Sequence, residues 1–435
     1  MVDILVLGAT GFTGRLITRY LYNHPQRSSF SFALGVRSKS KGEALKKSLG
    51  IDDTVGLVLV DVGDYASVEA AVREVRVVIN VVGPYWLWGN NVVKACTEHG
   101  KRYVDLAGEL HFIKDMIIRY DYLASKTGAI IVPTCGFASI AADIPVFLSN
   151  RTLKSALGPD AQLGLSQTFV RTQAGVSGGS INSFLCDMEK VPRRFYERCQ
   201  ADYALSQVRG LPSPPPVLAT RVPFSSQYGG YWFAGKINRG IVHRTFGLNT
   251  LASSYSKLFL AQEKVEDAAV RSLGYGPQFR YAEYKVVGRT WLGAAVFSAL
   301  FTFFLRLMFK SRLARGFVKL FAPAPGQGPS DKEMEKGWAE VTNFTQSAAS
   351  PNVYAKTVTH VKGDPGYLMT AWMISECALA LALDDASLPV TARLGGVLTP
   401  ATAFGDVIVR RLEATGHIHF ESEIVRGGDE SRKDR

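Results

Sequence analysis

The chain has 435 residues, of which 47% are hydrophobic, 20% charged and 11% aromatic. That length favours two or three structural units, and that composition excludes a disordered chain, a coiled coil and a collagen-like fibre. The 50 Lys and Arg against 38 Asp and Glu leave a net charge of +12, which calls for an anionic partner: nucleic acid, an acidic membrane surface or a phosphorylated cofactor.

In chain order, residues 1–145 predict a nucleotide-binding domain. Strand-like runs at 2–7, 30–36, 56–61, 75–82, 102–107 and 129–134 alternate with helical stretches at Phe12–Tyr22, Lys41–Leu49, Ala66–Arg73, Asn90–His99 and Phe112–Thr127. Near-continuous apolar strands in that rhythm predict an α/β fold with a doubly wound parallel sheet, the Rossmann arrangement. The chain enters the first strand directly at Val2, so no secretory signal is expected and a cytosol-facing protein is. Five cysteines without a CxxC pair predict scattered reduced thiols.

Gly8, Gly11 and Gly14 form GxxGxxG between the first strand and its helix, with Thr10, Phe12 and Thr13 between them. A dinucleotide site needs glycine there for a tight turn, for backbone approach to the pyrophosphate and for close helix–sheet packing. The second strand ends in Arg37, Ser38 and Lys39, with Lys41 beyond, and meets no acid until Glu43. An NAD site places an acid there for the ribose 2′-hydroxyl; a guanidinium suits the 2′-phosphate, so NADP(H) is preferred over NAD(H). Asp61, closing the third strand, fits either an adenine-side acceptor or a helix N-cap. Gly83 and Pro84 let the loop after the fourth strand pass close to the cofactor.

A GATGFTG start is shared by extended short-chain dehydrogenases, and Tyr122 and Lys126 have their Tyr-x-x-x-Lys spacing, although no serine precedes them at the end of the fifth strand. Longer segments carry a second resemblance. NVVGPYWLWGNNVVKACTEHGKRYVDLAGE (80–109), TCGFASIAADIP (134–145), DPGYLMTAWMISECALA (364–380) and GGVLTPATAFGDVIVRRLEATG (395–416) resemble the saccharopine dehydrogenase-like oxidoreductases. The resemblance spans nearly the whole chain and implies that Gly8, Thr10, Gly11, Phe12, Thr13, Gly14, Arg37 and Gly83 line the nucleotide. This chain has Ala138, Ala141 and Ala142 where the family commonly reads GFDSIPSD, so an acid and a proline are missing near the expected mouth of the site.

The family includes trans-acting enoyl reductases of lipid and polyketide pathways and lipid-associated proteins. The resemblance therefore implies hydride transfer to a hydrophobic or acyl-thioester substrate. Tyr85, just beyond the fourth strand, is a candidate proton donor, although an aromatic packed beside Trp86 and Trp88 is the favoured reading of it. A nucleotide-binding membrane scaffold without turnover is the non-enzymatic alternative.

Residues 146–365 predict a second, α+β domain. Glycines at 175, 178 and 179 lead into a helix at 181–188 that fits either one wall of a cleft or a structural strand–turn–helix, and Leu211–Pro216 is a proline-rich surface loop. Cysteine and histidine spacings predict no metal site. Between Tyr284 and Ser330 lie seven basic residues and no acid, around an uncharged fifteen-residue run from Trp291 to Leu305. No run reaches the roughly 18–20 uncharged apolar residues of a spanning helix, so a polytopic membrane protein is not expected. Segment 286–320 instead predicts insertion into an anionic membrane or lipid-droplet surface. Nucleic acid is not expected, for want of basic residues interleaved with aromatics or of a recognisable module. Residues 366–426 predict two helical stretches and a strand returning to the first domain, and 427–435 a disordered tail.

Overall fold

The computed structural model describes residues 2–175, 177–254, 270–321, 323–324 and 326–427; most of the expected tail lies outside them. In chain order the described strands are β1 (Val2–Leu7), β2 (Phe32–Val36), β3 (Gly56–Leu59), β4 (Val75–Asn80), β5 (Arg102–Asp105), β6 (Ile130–Val132) and β7 (Leu163–Gln173). They continue with β8 (Thr220–Arg221), β9 (Tyr228–Gly230), β10 (Arg280–Gly288), β11 (Trp338–Ser347), β12 (Val353–Lys362), β13 (Gly396–Val397) and β14 (Ile418–Arg426). One seven-stranded sheet has the order β13-β6-β5-β4-β1-β2-β3, and every pairing in it is parallel.

The apolar runs explain this sheet. Successive strand side chains point to opposite faces. Ile4 and Val6 therefore join Leu16 and Ile17 of the helix Phe12–Tyr22 in one core, while Leu5 and Leu7 join Val68, Val72, Val92 and Val93 in another. A strand apolar at each position is what a sheet covered on both sides requires. The strand order reverses between β1 and β4, so a crevice opens at the carboxyl ends there.

The second sheet is mixed, with the order β14-β12-β11-β7-β10-β9-β8. The chain reaches it through the helix Phe137–Leu157, which is largely buried as far as Asn150. The boundary expected at residue 145 thus falls at Pro145, inside a continuous helix rather than a linker.

The C-terminal segment serves both sheets. The helix Leu368–Leu383 lies across β4 and β5 beside Phe12–Tyr22, and β13 extends the first sheet. β14 alternates buried Ile418 and Phe420 with exposed His419 and Glu421, the pattern of a half-covered antiparallel strand, and pairs with β12 instead. Glu376, inside the apolar helix, accepts from Tyr20 at 2.6 Å and Arg411 at 2.8 Å and lies 2.8 Å from His24 Nε2. Burial pushes its carboxyl up, but these bonds outweigh it and hold the carboxyl below its usual range.

The expected membrane segment is a helix, Trp291–Lys310, followed by a second, Arg312–Phe321. The first runs past its uncharged stretch through Arg306 to Lys310, so it is long and apolar enough to cross a bilayer, unlike the fifteen-residue run considered alone. One face, with Ala294, Ala295 and Ser298, packs on β9 and β10, and Ser298 Oγ accepts the Tyr231 N–H at 2.8 Å. The other face carries Leu300 and Phe303, 65% and 66% exposed.

Candidate functional site

The turn after β1 is built from bare backbone. Gly8 has φ +84°, and a Cβ there would lie 3.0 Å from the Val81 carbonyl carbon. The Gly11 N–H donates to the Gly8 carbonyl at 2.9 Å, and no side chain caps the helix that follows. A Cβ on Gly14 would lie 2.1 Å from the Gly8 oxygen. The free amides and positive end of this helix therefore face the crevice as an anion cradle. Thr10 is exposed and Thr13 half-buried, and the Phe12 ring meets Tyr367 edge-on at 5.3 Å.

Arg37 is exposed at the end of β2 and makes no ion pair with the described residues. Ser38 caps the helix Lys39–Leu49 through the Lys41 N–H. Asp61 is exposed and takes the Gly63 N–H at 2.9 Å; the following helix is capped by Asp64, so Asp61 is not its N-cap. Gly83 is exposed beside the first turn. These positions share the carboxyl edge of one sheet and form a cradle that fits a dinucleotide: glycines where a Cβ would intrude, and an unpaired guanidinium beyond β2.

The helix Gly178–Lys190 faces this edge. The Tyr367 hydroxyl accepts the Ser177 N–H at 2.6 Å and lies 2.9 Å from Ser180 Oγ. A Cβ on Gly83 would lie 3.3 Å from Ser183 Oγ.

Beside that contact two buried titratable groups, Glu109 and His111, meet a partly buried third, Asp187. Glu109, beyond β5, takes the Tyr85 N–H at 2.8 Å and the Trp86 N–H at 2.7 Å, which fastens the Gly83–Trp86 loop. His111 Nε2 lies 3.8 Å from Glu109 Oε2 and 3.4 Å from Asp187 Oδ1, which comes from the facing helix. Burial pushes the Glu109 carboxyl up to about 7. Burial and the neighbouring Glu109 push Asp187 up to about 8, and burial pushes His111 down to about 4.

Residues 4–132 match the saccharopine dehydrogenase NADP-binding domain family. Over 432 residues the chain is 33% identical to a Mycobacterium tuberculosis protein provisionally named a trans-acting enoyl reductase, covering 95% of this chain and 96% of that one. A Mycobacterium ulcerans trans-acting enoyl reductase is 32% identical over 437 residues, with the same coverage. The chain belongs to the saccharopine dehydrogenase-like oxidoreductases. The fold agrees: apo saccharopine dehydrogenase (L-Glu forming) from Saccharomyces cerevisiae superposes with a TM-score of 0.51 at 12% identity, over 98% of this chain and 100% of that one. The protein is thus an NAD(P)-dependent oxidoreductase whose first sheet carries an NADP-binding domain.

Within this family frame several sequence expectations change. Tyr85 is buried, stacks on Phe112 and spends its hydroxyl on backbone: it donates to the Asn80 carbonyl and accepts from the Leu106 N–H, both at 3.1 Å. Burial, with Asp105 nearby, pushes the phenol well above its ordinary range, and its hydroxyl proton is already given to the Asn80 carbonyl. The short-chain dehydrogenase alternative fails on geometry. Tyr122 lies in the fourth turn of the helix Leu110–Thr127, about 18 Å along the axis from the carboxyl edge. It is 76% exposed, with Lys126 over its ring at 5.4 Å.

Ala141 and Ala142 are packed in the core, not at a mouth, and only Ala138 is half-buried. Ser139, next to Ala138, donates to Asn238 at 3.4 Å, and Asn238 donates to Glu283 of β10 at 3.1 Å. Cysteine and histidine spacings predict no metal site, yet the fold gathers Glu109, His111 and Asp187 with donor atoms within 4.8 Å of one another. The Glu109-x-His111 spacing was the sole trace of this cluster in the sequence, because Asp187 arrives from a distant helix.

Proposed function

We propose that the protein uses NADPH, in preference to NADH, to reduce the carbon–carbon double bond of a hydrophobic enoyl thioester at a cytosol-facing membrane or lipid-droplet surface. One observation carries the reading: the exposed apolar face of Trp291–Lys310 and Arg312–Phe321 adjoins the helix that faces the cofactor edge. Arg315 pairs with Glu189 of that helix at 3.4 Å, and an open apolar groove between the two is lined by Ile181, Phe317, Val318 and Phe321. An acyl chain leaving a lipid surface meets this groove first.

A bound NADPH, held by the Gly8–Gly14 turn and Arg37, would supply the hydride for the β-carbon and be oxidised to NADP+, while the α-carbon would take a proton. The names carried by the mycobacterial relatives support this reaction class. Arg37 supports the NADPH preference, since its guanidinium is free for a 2′-phosphate.

Interfacial seating is favoured over a span because Ala294, Ala295 and Ser298 are already covered by the second sheet, whereas the opposite face is bare. Exposed Arg289, Arg306, Lys310 and Arg312 border that face and suit anionic headgroups. The other three basic residues of the acid-free window are used internally: Lys285 lies over Trp232, and Arg315 and Lys319 pair with Glu189.

The test is NADPH oxidation by the full chain against enoyl thioesters of increasing length, with and without anionic vesicles. Turnover rising with chain length and with vesicles is expected. NADPH binding without turnover across the panel would replace the reductase with a nucleotide-binding scaffold.

A further inference from the structure

His111 is 1% exposed, yet among the described residues neither ring nitrogen has a hydrogen-bond partner, and Asp187 Oδ1 beside it has none either. Buried polar atoms are rarely left so, and His111 Nε2 faces Asp187 Oδ1 at 3.4 Å, so these two atoms imply a common partner. The aromatic walls offer none: Trp86 and Tyr196 present rings to His111 at 5.1 and 5.9 Å.

We propose that Glu109, His111 and Asp187 hold a divalent transition-metal cation of the zinc class. Donors at about 2.0–2.2 Å from a tetrahedral zinc lie about 3.3–3.6 Å from one another. Of the observed separations, 3.4 Å from His111 Nε2 to Asp187 Oδ1 already meets that spacing, 3.8 Å to Glu109 Oε2 needs little closure, and all three donors lie within 4.8 Å of one another. Two carboxylates balance the charge of a dication, and the imidazole donor favours zinc over magnesium or calcium, which take six or more oxygens. Glu109 is already oriented by the Tyr85 and Trp86 N–H groups, the kind of support that metal-ligating carboxylates receive.

The cation ties the Gly83–Trp86 loop, through Glu109, to the helix Gly178–Lys190, through Asp187. It thereby joins the two walls of the cleft. Three protein ligands leave a fourth position for water or a substrate oxygen. The inference does not rest on the enoyl-reductase reading.

The test uses the full chain, stripped with a chelator and titrated with Zn2+ against a chromophoric competitor. One zinc per chain is expected, with affinity falling by about 100-fold or more in His111→Ala and Asp187→Asn. Co2+ loading of the unmodified chain should give the visible absorption of a tetrahedral nitrogen–oxygen site, which decides the matter even if the variants fail to fold. No stoichiometric uptake of either metal, or zinc bound as tightly by a folded His111→Ala chain, overturns the proposal.

Discussion

A Cβ on Gly14 would lie 2.1 Å from the carbonyl oxygen of Gly8, so the helix Phe12–Tyr22 and the end of β1 meet backbone to backbone. That approach aims the helix's free amides into the crevice. Gly14→Ala must push helix and strand apart, at about 1–3 kcal/mol for an overpacked contact. A lower melting temperature and at least about tenfold weaker NADPH binding are expected, read by calorimetry and fluorescence titration. Gly50→Ala is the control. Gly50 has φ +65° but open space around it, so about 1–2 kcal/mol of backbone strain should appear with NADPH affinity unchanged.

Arg37 separates the two nicotinamide cofactors. A charge-assisted bond to a phosphate contributes about 1.5–3 kcal/mol. Arg37→Ala should therefore weaken NADPH binding by about 10- to 100-fold and leave NADH binding nearly unchanged. Isothermal titration with both cofactors measures this, and equal losses would remove Arg37 from cofactor discrimination.

Glu283 makes stability depend on pH. Burial pushes its carboxyl up to about 8 from the ordinary 4.5, against the lowering effect of the Asn238 hydrogen bond. The folded chain then holds a proton that the unfolded chain releases, so this stabilisation is complete below pH about 4.5 and is lost as pH rises towards 8. The slope from this group is at most about 1.4 kcal/mol per pH unit. Glu283→Gln should flatten the urea midpoint between pH 5 and pH 8, raising it most at the alkaline end; an unchanged profile would contradict the assignment.

Membrane seating is tested best by point changes. Deleting 286–320 would also remove Ala294, Ala295 and Ser298 from the second sheet and Arg315 from Glu189. Phe317 and Leu320 are 63% and 80% exposed. Phe317→Asp and Leu320→Asp should shift stability by no more than about 0.5 kcal/mol. Flotation with anionic vesicles should nevertheless fall by about tenfold, since each change removes buried apolar area and adds a like charge. Undiminished flotation would place lipid contact elsewhere.

The first sheet was legible because its signals are local. Most strands from β1 to β6 are short, largely apolar runs, with β5 (RYVD) the exception, the glycine turn is three residues at fixed spacing, and the expected helix Phe12–Tyr22 is the observed one. The lack of an acid after β2 is equally plain in the chain. Tyr85 shows the limit. Its position beyond β4 was readable, but the two backbone groups that occupy its hydroxyl come from Asn80 at the end of β4 and Leu106 just after β5.

The same contrast runs through the charge of +12. Composition and order established that most of the excess lies in one acid-free window. Packing established that Arg315 and Lys319 share the carboxylate of Glu189, which the window does not contain, and that Arg289, Arg306, Lys310 and Arg312 remain exposed. Periodicity and turn chemistry are written between neighbours in the chain, so the nucleotide domain and its cofactor class follow from residue order. The meeting of Glu109 and His111 with Asp187 is not, because it depends on how the helix Gly178–Lys190 settles against the end of β5, and that is set by burial across the whole fold.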